Sequence, residues 1–115
     1  MSLEDVFEVK TGPVRVSGYA IKLRRVINGV LRKYYLDKVL DPKKINESIS
    51  QLNSKLFEVI VGRYKVPKEA VVNIQLRFRI NENSIVTEDI NVDVFDKDEI
   101  LSGNVTSDVK ELLTG

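Results

Sequence analysis

Lys22, Arg25, Arg32 and Lys33 fall at offsets of 0, 3, 10 and 11, a spacing that puts all four cations on one face of a helix. Arg24 lies on the flank of that face. Such a ridge can follow a sugar-phosphate backbone, with each guanidinium giving paired hydrogen bonds to phosphate oxygens. Tyr19, Tyr34, Tyr35 and Tyr64 are close in sequence to basic residues. Aromatic rings beside cations are what single-stranded nucleic-acid sites use to stack unpaired bases. Tyr34 sits on the apolar stripe of its helix, so Tyr19 and Tyr35 are the tyrosines expected at the surface. The candidate nucleic-acid-binding set is therefore Lys22, Arg24, Arg25, Arg32, Lys33, Tyr19 and Tyr35. The competing reading is a solvated helix face neutralised by acids of the same chain or of a second copy.

Charge is segregated along the whole chain. Residues 15–44 hold nine Lys/Arg against two acids, a balance of +7, and residues 81–115 hold two Lys against nine acids, a balance of −7. The net charge of +1 conceals both blocks. Each block creates a local field, and the two offer complementary surfaces to a polyanion or to another protein chain.

Several kinds of chemistry are excluded. Histidine and cysteine are both absent. That removes the usual general base near neutral pH, any thiolate nucleophile, any disulfide and any Cys/His zinc site. An enzyme would have only carboxylates, Lys and Tyr to work with. The acids Asp89, Asp93, Asp96, Asp98 and Glu99 lack the spacing of a calcium loop and read as a solvated acidic edge. Gly12 and Gly18 match neither the P-loop nor the dinucleotide fingerprint. No catalytic residue, metal or cofactor is expected. The first residues show no targeting signal, and the longest apolar run is far short of the roughly 20 residues of a membrane span. Lack of cysteine fits a cytoplasmic location.

Periodicity places these residues on elements. Short alternations at 7–10 and 14–17, separated by Gly12-Pro13, each read as a strand or an extended arm. Ala20, Leu23, Ile27, Val30, Leu31 and Tyr34 recur at helical spacing up to about Leu36, weakened at Asn28-Gly29. Asp41-Pro42 is a helix start, with a capping residue before proline at the first helical position. Ile45, Ile49, Leu52, Leu56, Val59 and Ile60 continue that helix to about Gly62. Phe57 and Phe78 are expected in the core. Ala70, Val72, Ile74, Leu76, Phe78 and Ile80 alternate with polar residues, and Val86, Ile90, Val92 and Val94 mark a returning strand after a three-residue loop at 81–83. A weak helical pattern runs over 105–113.

The segment Thr11-Gly12-Pro13-Val14-Arg15-Val16-Ser17-Gly18-Tyr19-Ala20-Ile21-Lys22-Leu23-Arg24-Arg25 resembles the archaeal family catalogued as domain of unknown function 2258. Members look like a Thr-Gly segment, a short strand, then Gly-x-Tyr-Ala-x-Lys-Leu-Arg-Arg opening a helix; here Gly18 abuts Tyr19 directly. A second similar stretch runs Leu52-Asn53 and Leu56-Phe57-Glu58-Val59-Ile60, followed by an alternating strand. The resemblance spans residues 11–95 and implies an archaeal, thermophilic, cytoplasmic protein, but supplies no activity. Abundant Lys, Arg, Ile and Val with no Cys is compatible with a thermophile.

The expected fold is α+β: an antiparallel sheet of three or four strands with two helices on one face, in the order β-β-α-α-β-β, with a short C-terminal helix. Residues 1–115 form one domain, and 1–6 and 100–115 are the segments expected to move. Two functions remain open. One is a non-enzymatic module that binds single-stranded nucleic acid through the basic helix. The other is a homo-oligomeric scaffold, in the simplest case a homodimer, whose basic and acidic surfaces pair between subunits. A carboxylate-dependent enzyme is third.

Overall fold

The strongest alternation in the chain becomes the middle of the sheet. In the computed structural model, which describes residues 2–95 and 99–114, β3 (Val71–Asn81) pairs antiparallel with β4 (Ser84–Val94). Along the other side of β3 lie β1 (Ser2–Lys10) and β2 (Val14–Arg15), end to end. Thr11 bridges the gap between them. Its N–H donates to the Ile74 carbonyl, and its hydroxyl accepts from the Ile74 N–H and donates to Gly12 O. Gly12 has φ +68, in the left-handed region, which lets the chain turn back immediately. The first strand is longer than its alternation predicts, and the second is shorter, because Val16–Gly18 winds into a 3-10 turn.

The hairpin differs from its sequence reading in two linked ways. Asn81 pairs with Ser84, so the loop is two residues, Glu82 and Asn83, both at positive φ (51 and 61). That is the twist-matched turn of a tight hairpin. A bulge then shifts the register between Arg77 and Phe78. Before it Ile85 and Thr87 face Ile80 and Phe78; beyond it Ile90, Val92 and Val94 face the core. Val86 therefore does not share their face but lies opposite Arg79 on the polar side, because β4 carries one extra residue.

Helix α1 (Tyr19–Leu36) and helix α2 (Pro42–Phe57) run antiparallel over the apolar side of the sheet. Tyr19, Leu23, Ile27 and Leu31, each four residues after the last, bury the inner stripe of α1. Val30, expected in that stripe, is exposed. The end of α1 is closed by Lys38 at φ 58, while Val39 and Leu40 donate to the Tyr34 carbonyl. Asp41 caps α2 as expected, accepting from Lys43 N–H. After Phe57 the helix widens into a π turn, Glu58–Arg63. Ile45, Ile49, Leu56, Val59 and Ile60 are fully buried against Val72, Ile74, Phe78 and Ile80.

The C-terminal helix α3 (Glu99–Thr114) runs along β4 and buries Val105 and Val109. The Thr106 hydroxyl accepts from Val92 N–H and donates to Val92 O, so this side chain takes the place of a neighbouring strand at the sheet edge.

Candidate functional site

The outer face of α1 is built by the residues that its buried stripe leaves over. With Tyr19, Leu23, Ile27 and Leu31 turned inward, Arg25, Arg32 and Lys33 are exposed and Lys22 is half-exposed. The four span roughly 16 Å of helix axis at about 1.5 Å per residue. Gly29 lies between them and is exposed; a Cβ there would meet nothing within 4 Å. Ile21, 68% exposed, and Leu36, 72% exposed, stand at the two ends of the same face.

Arg24 has a different role. Its guanidinium donates to Asn46 O, Asn46 Oδ1 (2.8 Å) and Ser50 Oγ (2.7 Å), tying α1 to α2. Asn28 Nδ2 donates to the same Asn46 Oδ1. Arg24 therefore belongs to the helix-helix seam and not to the free cationic ridge.

The tyrosines also depart from expectation. Tyr19 is 2% exposed, with its hydroxyl donating to Asn53 O, and burial pushes its pKa up to about 12. A ring in that position cannot stack on a base without leaving the core. The physical reason is its place at the first helical residue, one turn before Leu23 on the buried stripe. Tyr35 is half-buried, donates to Asn28 Oδ1, and is likewise raised to about 12 by desolvation. Tyr34 donates to Asp5 and Tyr64 to Asp108, so all four hydroxyls are engaged within the chain. Tyr34 also makes an edge-on contact with Phe7, at 5.6 Å between centroids.

The exposed aromatic rings are Phe57 and Phe95. Phe57 was expected inside. It follows Leu56 by one residue, which rotates it about 100° away from the buried stripe of α2. That azimuth is the signal in the sequence that apolar character alone obscured. Phe57 stands at the rim of a groove of ~600 Å³ between the start of α1 and the end of α2.

Three acids of the C-terminal third are partnered locally. Glu88 pairs with Arg79, Asp89 with Lys110 (3.0 Å) and Asp108 with Arg63 (3.3 Å). The Lys110 hydrogen bond holds the Asp89 carboxyl below its ordinary range. None of these bases comes from the +7 block. Among the described residues, Lys22, Arg25, Arg32 and Lys33 form no ion pair. Among the described residues, therefore, no acid neutralises the α1 face, and it keeps its positive field.

The polar side of the sheet is a second recess, where Glu8, Lys10, Gln75, Arg77, Asp89 and Asn91 line ~120 Å³. Its charges are mixed, so it presents no single-sign field. Among the described residues no cluster of acids could hold a metal ion; Asp96 and Asp98 lie outside them. No described helix is long and apolar enough to cross a membrane.

Comparison with solved structures places this arrangement among proteins of similar shape. A crystal structure of apeThermo-DBP-RP2 bound to ssDNA dT10 superposes with a TM-score of 0.74 at 27% identity, covering 96% of this chain and 54% of that one. A crystal structure of pfuThermo-DBP-RP1 superposes with a TM-score of 0.65 at 27% identity, covering 92% of this chain and 68% of that one. The chain thus spans about half the length of the first. No curated protein matches the sequence. Residues 9–86 match the family described as ThermoDBP-related, archaea. The archaeal assignment implied by the resemblance stands, but the family goes by this description and not by the domain-of-unknown-function label. With its Thr-Gly bridge, basic α1 and strand β3 all inside the matched residues, the chain belongs to the archaeal ThermoDBP-related family.

Proposed function

We propose that this chain binds single-stranded nucleic acid through the outer face of α1, as a non-enzymatic module in the cytoplasm. The observation that carries the reading is the set of four cations, Lys22, Arg25, Arg32 and Lys33, aligned on one face and left without ion-pair partners among the described residues. The related structure bound to ssDNA dT10 supports the choice of a single strand as ligand. The bare backbone at Gly29 lets a phosphate or sugar come close to the helix between the cations. The ridge supplies charge and position. It contributes no sequence readout, because contacts to phosphate are alike for every base.

The test is a titration of a fluorescent oligothymidylate at several salt concentrations. Each phosphate neutralised on a single strand contributes a slope of about −0.7 in log affinity against log salt, so four contacts give about −3. Changing Lys22, Arg25 and Arg32 together to Ala is expected to weaken binding and bring the slope to about −1. Absence of binding at low salt, or an unchanged slope in the triple variant, refutes the assignment of the strand to this face.

A further inference from the structure

We infer that Ile21 and Leu36 are the residues that make the α1 face select an unpaired strand over a duplex. This rests on the proposed function, and adds to it a discrimination that the cations alone do not supply.

Charge by itself points the other way. Duplex DNA carries one negative charge per ~1.7 Å of its axis, and each phosphate neutralised on it contributes a salt slope of about −0.9, against about −0.7 on a single strand. A ridge of four cations therefore gains more from a duplex. To take the single strand instead, the face needs contacts that a duplex cannot make. In a duplex the flat faces of the bases are stacked on one another, and only their edges reach the grooves. In a single strand those faces are open, and an uncharged side chain can cover them.

The outer face of α1 has two such side chains. Ile21, Arg25, Gly29, Arg32 and Leu36 follow one another at steps of four, four, three and four residues, so they form one stripe along the helix. Its order is the same from either end: apolar, cation, glycine, cation, apolar. Ile21 and Leu36 are the two most exposed large apolar side chains among the described residues. A single exposed aliphatic side chain is ordinary on a helix. Here each stands one turn beyond an arginine of the ridge, ~6 Å along the axis, and the two are ~22 Å apart. A phosphate held by Arg25 or Arg32 thus brings a neighbouring base within reach of an apolar side chain. Gly29 keeps the middle of the stripe low, so the strand lies close to the helix there while bases at the two ends turn onto Ile21 and Leu36.

Neither side chain belongs to the core, so Ile21→Ser with Leu36→Ser leaves the fold intact. The experiment measures, at one salt concentration, the affinities of wild type and this double variant for an oligothymidylate and for a duplex of the same length. Wild type is expected to prefer the single strand, by up to ~10-fold for each side chain that a base covers. The double variant is expected to bind the duplex as wild type does, to lose the preference, and to keep a salt slope of about −3 on the single strand. Ile21→Val with Leu36→Met retains the preference. A double variant that prefers the single strand as strongly as wild type overturns the assignment while the α1 reading stands. A wild type that binds the duplex as tightly as the single strand, or more tightly, also overturns it. A wild type that binds neither overturns both.

Discussion

Replacing Gly29 with alanine tests the description of α1 at its most unusual point. Glycine in a helix interior destabilises it by roughly 0.5–1 kcal/mol relative to Ala, because the unfolded chain has more freedom to lose. Such a position persists where a neighbour needs the space. Here none does: a Cβ would meet no heavy atom within 4 Å, and the residue is exposed in the middle of an 18-residue helix. The full propensity gain should therefore appear, about 0.5–1 kcal/mol of added stability. For 115 residues, an unfolding entropy of about 2.1 cal/mol/K per residue converts that gain into roughly 2–4 °C in Tm. Urea denaturation followed by far-ultraviolet circular dichroism is the assay, with the midpoint expected to rise at constant slope. A midpoint that falls would show that Gly29 is packed against something, and the outward orientation of the cationic ridge would be wrong with it.

Other expectations follow from the core and its ionisable groups. Leu56→Ala removes a fully buried side chain and should cost about 2–5 kcal/mol by chemical denaturation. Tyr19 and Tyr35 have folded-state pKa values of about 12, above the unfolded value of 10.0, so their contribution is complete below pH 10 and declines as pH rises through 12; melts across that window should show Tm falling, and less steeply in Tyr35→Phe. Asp89 has the opposite sign: its pKa is depressed by Lys110, so its contribution is present above the unfolded value of 3.8 and lost as pH falls through the lower folded one. Lys110→Met should flatten that acid limb of the stability profile. Thr106→Val keeps the shape of the side chain but removes both bonds to Val92, and should speed amide exchange at Val92 relative to the centre of β3.

Periodicity made most of the architecture legible. Ile45, Ile49, Leu52 and Leu56 mark α2, and the alternation from Val72 to Ile80 marks β3, because burial on one side leaves a period that local sequence records. The hairpin bulge left no such trace. Val86 is as apolar as Ile90, and only the pairing of Arg77 with Asp89 and of Phe78 with Thr87 shows that they point opposite ways. The tight turn lacked its usual glycine, with Glu82 and Asn83 taking the left-handed positions. In the candidate site, charge was legible and geometry was not. The cations Lys22, Arg25, Arg32 and Lys33 lie where helical spacing puts them. Arg24 was diverted by Asn46 and Ser50, partners more than twenty residues away. Tyr19 and Phe57 exchanged their expected positions, since a residue beginning a helix and a residue one step past the stripe are both decided by azimuth and not by hydrophobicity.

The bond from Thr106 to the outer side of Val92 also limits how copies of this chain could join. A sheet grows by adding strands at a free edge. Along β4 that edge is occupied by α3, while β1 has β3 on one side and, among the described residues, no strand on the other. In the language of polymer chemistry the fold is a monofunctional monomer. Two copies joined antiparallel through β1 would turn their α3-covered edges outward, and the reaction would end at the pair. A fibre needs two reactive ends on every unit, and one hydroxyl on α3 removes one of them.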